Sequence, residues 1–220
     1  MALTLTKTER KRRAQRLALF NSYRALYNRT PKNVVAEGAG WYPSAHKACR
    51  ILADTVNHPV SRAAAILAVL SPGTRWKDNI KSAYGALTGD WDTAFRWHAY
   101  GNQAVSKART IVDNRLTGQD AYDILNTAAS HKVPQFYRSI MLHSGSACID
   151  SWIYRINRLD YLSDTPPKGH RQASKTAIRM LSSYTGLPSY AMQAVLWLQK
   201  RKEAGQVGYS DAVELTRALL

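Results

Sequence analysis

The sequence predicts an all-α fold. Apolar residues recur at spacings of three and four instead of alternating, so strand signals are nearly absent. Proline, glycine and capping residues fall between the periodic stretches, where helices should start and stop. At 220 residues the chain is long enough for one substantial core, or for two small lobes sharing a cleft, and one compact unit is the default.

A first helix is expected from about Glu9 to Tyr27, opening on the basic run "ERKRR" and carrying a stripe of Leu17, Phe20, the Arg24 stem and Tyr27. That basic opening reads as a solvated charged face rather than a specific phosphate contact. "RTPKNVVAEGAGWYP" reads as a loop broken at Pro31 and at Gly38 to Gly40, with a helix following from Ser44 to Val56. Pro59 starts "PVSRAAAILAVL", which is apolar on almost every side and so should be the central buried helix, ending in "SPG". Thr74 then offers an N-cap for a helix that places Trp76, Ile80, Ala83 and Leu87 on one face. Residues 89 to 101 read as a connection, and a helix near Val105 to Leu116 turns Val105, Ala108, Ile111 and Val112 inward. Asp120 should cap a short helix through Leu125. Pro134 fits the first turn of the next helix, with Phe136, Tyr137, Ile140 and Met141 at helical spacing. Asp150 precedes "SWIYRINRL" as its N-cap; "SDTPPKGHR" is a polar linker, and helices near 171–184, 188–203 and 210–219 complete the chain.

A formal charge of +16, spread from Lys7 to Arg217, repels itself unless an anionic partner neutralises it; a polyanion is the economical reading, and lipid headgroups would also satisfy the charge. No apolar run approaches the roughly 20 residues of a membrane span, and the first ten residues lack a signal-peptide core. The expectation is a monomer in the cytoplasm with no membrane partner. Only Cys49 and Cys148 are present and the six histidines are scattered, so the spacing offers neither a disulfide framework nor a metal site, and no cofactor is expected.

One stretch raises a chemical question. In "KVPQFYRSIMLHSGSACIDSWIYRI", residues 132 to 156, Lys132 stands at a helix start, where unpaired N–H groups disfavour a cation. That field, reinforced by His131 if protonated and by Arg138, would enrich the neutral amine that acts as a nucleophile. Asp150 follows 18 residues later, and on local grounds alone it is an ordinary N-cap.

A lysine at the start of a hairpin's second helix, a turn, and then Ile149-Asp150 with Ile153 and Arg155 resembles the helix-hairpin-helix DNA glycosylase superfamily, the endonuclease III-like group in particular. "AAILAVLSPGTRWKDNIKSAYGAL" is similar to that family's Leu-Ser helix and the helix after it, and "NQAVSKARTIVDN" to the segment before its hairpin. "GWYPSAHKA" and "YAMQAVLW" look more like virus-encoded members, some of which resemble enzymes of thymine hypermodification in phage DNA. The resemblance spans residues 60 to 160. It implies two helical lobes around a cleft, with the N-terminal and C-terminal helices forming the second lobe.

The resemblance also implies an enzyme acting on a base flipped out of DNA, with Asp150 and Lys132 catalytic. Trp76, Asn79, Trp152, Gln193 and Trp197 are the candidates for a base pocket, and Arg75, Lys77, Lys107, His131 and Arg155 for DNA contact. The chain departs from the family in two places. The hairpin turn "AASH" at 128–131 has no glycine to let backbone N–H groups approach a phosphate, so single-stranded or distorted duplex DNA is the favoured partner. The iron–sulfur cysteines of many relatives are missing too. Three readings stay open: a DNA glycosylase or glycosylase/lyase, a transferase adding an amine or amino acid to an activated 5-hydroxymethyl pyrimidine, and a non-catalytic DNA-binding module.

Overall fold

The computed structural model describes residues 6–96, 101–127, 131–157, 168–206 and 212–219, and these form helices with no strand among them. The chain divides into two compact units. The first joins Met1–Gly40 to Ile149–Gly208, and the second joins Trp41–Cys148 to Tyr209–Leu220.

The second unit is built around α3 (Val60–Val69), in which every residue from Arg62 to Val69 is buried. Pro59 stands at its N-cap in extended backbone, as the sequence predicts. A helix apolar all round must be covered all round. Here α4 (Trp76–Thr88), α6 (Gly101–Asp113), α7 (Gly118–Leu125) and α8 (Lys132–Ile140) provide that cover.

Arg62 is the one charged residue of that helix, and its guanidinium is spent on other groups. Nε donates to the Leu116 carbonyl at 3.2 Å, Nη2 donates to the Arg115 carbonyl, and Nη1 meets His58 Nδ1 at 2.7 Å. These bonds secure the turn after α6, where Arg115 has a left-handed backbone at φ 53°. His58 Nε2 lies 3.1 Å from the Leu87 carbonyl and so must carry the imidazole proton, leaving Nδ1 to accept.

Several boundaries differ from the sequence expectation. Arg75, not Thr74, stands at the N-cap of α4, and the Thr74 hydroxyl donates to Pro72 instead. The stretch expected as a connection holds α5 (Trp91–Arg96), packed close on α4. Gly85 permits that approach, because a Cβ there would lie 2.7 Å from the Asp90 carbonyl oxygen. Thr117 rather than Asp120 precedes α7, and Asp120 lies in its first turn. Trp76, Ile80, Ala83 and Leu87 are all buried as expected.

In the first unit, α1 (Lys7–Asn28) packs on α10 (Lys168–Thr185) and α11 (Ser189–Glu203), and α9 (Ser151–Arg155) packs on α11. Thr6 and Glu9 form a reciprocal capping box, so α1 begins at Lys7, two residues before the expected start. Its buried face is Leu19, Tyr23 and Leu26, while Leu17 is 42% exposed. Both stripes have helical spacing; which one is buried is decided by α10, a segment some 150 residues away in sequence.

The loop expected at 29–43 is the larger correction. Here α2 (Lys32–Thr55) runs unbroken through Gly38, Gly40 and Pro43. Pro31 acts as a starter, its carbonyl accepting from Val34 and Val35 N–H at 3.0 Å. Gly38 is a packing position, since a Cβ there would lie 2.6 Å from the Val195 backbone. Pro43 removes one helical hydrogen bond, a loss the rest of a 24-residue helix tolerates. Residues 163–167 of the expected linker lie outside the described residues, and Lys168 to Arg171 belong to α10.

Candidate functional site

The sequence-derived candidates fall into two groups, one in each unit. Seven belong to the second: Arg75, Trp76, Lys77, Asn79, Lys107, His131 and Lys132. Lys132 is the first residue of α8 and is exposed, with His131 at the N-cap making no side-chain cap. The helix is seated beneath it by Val133, Pro134, Tyr137 and Ile140, and the Tyr137 hydroxyl donates to the Gly118 carbonyl of α7 at 3.2 Å. Burial raises the pKa of that phenol. The Cys148 thiol donates to the Lys132 carbonyl at 3.8 Å, a bond within the second unit. Of the "AASH" turn, residues 128–130 lie outside the described residues.

Arg75 and Lys77 are exposed at the start of α4, as a phosphate contact requires. Trp76 between them is only 6% exposed. It meets Trp41 edge-on at 5.6 Å, and Trp41 lies 6.1 Å from Phe136. This is an aromatic cluster of α2, α4 and α8 rather than a ring presented to solvent. Asn79 is buried and its amide donates to the Leu67 carbonyl at 3.0 Å. The Trp76 Nε1 donor and the Asn79 Oδ1 acceptor have no hydrogen-bond partner among the described residues. Lys107 donates to the Thr127 hydroxyl at 3.0 Å, and partial burial lowers the pKa of its amine.

The other five candidates, Asp150, Trp152, Arg155, Gln193 and Trp197, belong to the first unit. Asp150 is the N-cap of α9, accepting from the Ile153 N–H at 3.1 Å. The helix it caps ends at Arg155, shorter than the sequence suggests. Trp152 and Trp197 are half-buried. The Arg155 guanidinium lies 4.4 Å from the Trp152 ring, and Arg201 lies 5.6 Å from Trp152 and 4.9 Å from Trp197. Gln193, Trp197 and Arg201 are spaced four apart on α11 and therefore stand on one face, but Gln193 is only 4% exposed. Two guanidinium groups thus lie over two half-buried indole rings, a cationic and aromatic surface.

Arg201, Trp41, Phe136 and Cys148 were not among the sequence candidates. Arg201 had a signal, because an arginine four residues after a tryptophan on a helix falls over the ring. The others had none, since each acts through a contact between segments distant in sequence. Among the described residues, no three His, Cys, Asp or Glu side chains assemble as a metal site, and no helix is long and apolar enough to cross a membrane.

Residues 5–204 match a family described as "Family of unknown function (DUF7178)", and with nearly the whole chain covered the protein belongs to that family. Neither the curated proteins nor the solved structures contain a match.

Proposed function

We propose that this member of the family is a DNA-acting enzyme that works on a base taken out of the stack, as a glycosylase or glycosylase/lyase, with Asp150 and Lys132 as its catalytic groups. The observation that carries the reading is local to the stretch around them. Lys132 opens α8 and Asp150, 18 residues on, caps α9, so both stand at helix starts as the resemblance implies. The packing of α7 on α8 is compatible with the resemblance. The +16 charge supplies the affinity for a polyanion.

In this reading the neutral Lys132 amine attacks C1′ of the extruded nucleotide. The glycosidic C1′–N bond breaks, and the base leaves with its bonding pair and a proton. Loss of the amine proton and opening of the sugar ring give the Schiff base, which water hydrolyses. Asp150 stabilises the positive charge that develops on the sugar and takes the proton from the attacking group. Trp152 and Trp197 would hold the base, with Arg155 and Arg201 at the phosphates.

Incubation with defined modified and damaged oligonucleotides, followed by digestion to nucleosides and mass analysis, tests this. The expected product is an abasic site. A mass added to a 5-hydroxymethyl pyrimidine would replace the reading with base hypermodification by transfer. Unchanged nucleosides throughout would leave a DNA-binding module.

A further inference from the structure

The first three turns of α1 do not behave like the rest of the fold. Among the described residues from Thr6 to Ala18, none is buried and only Gln15 is even half-covered; burial begins at Leu19. This exposed segment carries Lys7, Arg10, Lys11, Arg12, Arg13 and Arg16. Its acid, Glu9, is engaged in the capping box, where its carboxylate accepts from the Thr6 N–H at 2.8 Å and from the Thr6 hydroxyl at 2.7 Å.

The cations surround the helix. At about 100° per residue, counted from Lys7, they stand at about 0° (Lys7), 40° (Lys11), 140° (Arg12), 180° (Arg16), 240° (Arg13) and 300° (Arg10). The widest gap, between Lys11 and Arg12, is filled by Thr8 and Gln15. No apolar face remains for a membrane interface or a groove on another protein, because both need a one-sided helix. The segment is also a helix under internal repulsion. Lys7/Arg10, Lys7/Lys11, Arg10/Arg13, Arg12/Arg16 and Arg13/Arg16 are like-charge neighbours at three and four residues. Five of the six cations lie in the first two turns, and Lys7 and Arg10 stand in the first, where the helix dipole disfavours them. The Thr6–Glu9 capping box holds the end closed against this.

An element ringed by positive charge suits an environment with negative charge on both sides. We infer that the exposed start of α1, Lys7 to Ala18, is a duplex-binding element that lies in the DNA major groove between its two phosphate walls. The groove, about 12 Å wide, matches the roughly 10–12 Å diameter of a helix with its side chains. Twelve residues extend about 18 Å along it. The inference is independent of the base chemistry proposed above. It gives the chain a grip on intact duplex of the kind that a hairpin turn without glycine does not supply.

The test splits the ring. Replacing Lys7, Lys11 and Arg12 with Gln removes one side, and replacing Arg10, Arg13 and Arg16 with Gln removes the other. A control variant changes the exposed Lys32, Lys47 and Arg50 to Gln. No altered residue is buried and Gln is a good helix former, so the fold is kept. Binding to an unmodified duplex of about 20 base pairs is measured over a salt series, so turnover plays no part. Each ring variant should lose at least about 10-fold in affinity near 0.1 M salt. Its slope of log K against log salt should become shallower by about two to three, at ~0.9 per phosphate contact. The control should move less than either. A loss in only one ring variant would mean one-sided contact and overturn the groove reading, as would no loss in either. Equal losses on phosphatidylserine/phosphatidylcholine vesicles with none on duplex would assign the segment to a membrane surface instead.

Discussion

The two units solve the problem of burying charge differently. In the second unit one apolar helix, α3, sits inside a shell of others, and its Arg62 is fully committed to backbone carbonyls and an imidazole. In the first unit long amphipathic helices lie against each other and keep their charges at the edges. There Arg29 pairs with Glu203 at 3.0 Å, Lys202 with Glu37 at 2.6 Å, and Arg155 and Arg201 cover tryptophan faces. Such exposed and half-exposed pairs contribute about 0–1 kcal/mol each, so they orient side chains more than they hold the fold. The difference suggests a division of labour: a buried scaffold in the second unit, and a surface of cations and rings in the first.

The proposed roles of Asp150 and Lys132 put that division to its hardest trial, because Asp150 belongs to the first unit and Lys132 to the second. Asp150→Asn keeps the cap on α9, since Asn caps about as well as Asp, and should fold normally. Turnover should fall by about 10²- to 10⁴-fold, the usual cost of removing a positioned acid or base. Lys132→Ala should abolish both turnover and the enzyme–DNA complex that borohydride traps. If Lys132→Ala retains turnover, the second unit is scaffold alone and Asp150 works with water or a small amine. If Asp150→Asn stays fully active, its role ends with the cap.

The next largest effect is on stability and concerns the second unit only. Arg62→Met fills similar space but leaves the carbonyls of Arg115 and Leu116 and the Nδ1 of His58 without their donor. Arg115 is exposed and Leu116 and His58 are half-buried, so water offsets part of the penalty and the loss should be about 1–3 kcal/mol in all. Urea unfolding measures it, with the midpoint shifting and the slope kept. A change under about 1 kcal/mol would mean that water satisfies those groups fully, and the scaffold would be looser than its burial indicates.

The sequence reads more clearly in one unit than in the other. In the second unit α3, the inward face of α4 and the start of α8 follow from local patterns, because helices near in sequence supply one another's cover. The first unit joins segments separated by more than a hundred residues, and there the reading goes astray. The spacing of α1 permits either Leu17–Phe20–Tyr27 or Leu19–Tyr23–Leu26 inside, and only contact with α10 decides. Gly38 looks like a breaker until Val195 is seen against it. Of the site, the helix-start positions of Lys132 and Asp150 were legible because capping is local. The shielding of Trp76 by Trp41 and the bridging of two rings by Arg201 depend on tertiary contacts.

The smallest expected effect at neutral pH tests the core of the first unit. Tyr23 is fully buried, and Ser174 and Asn157 lie beside its hydroxyl without reaching hydrogen-bonding geometry. Burial pushes the phenol up to about 12, with those two neighbours offsetting part of the rise. Below the ordinary phenol value of 10 the group is protonated in both folded and unfolded chains, and its contribution is fully present. As pH rises from about 10 to 12 the unfolded chain ionises first, and stability should fall by about 2–3 kcal/mol, at ~1.36 kcal/mol per pKa unit. Tyr23→Phe removes both the ionisation and a hydroxyl with no good partner. At pH 7 it should be neutral or stabilising by up to about 1 kcal/mol, and the alkaline loss should shrink. Thermal melts of the two proteins from pH 7 to 12 give the comparison. Destabilisation by more than about 1 kcal/mol at pH 7 would show that the hydroxyl is bonded in solution, and the first unit would then have a polar core as fully committed as that around Arg62.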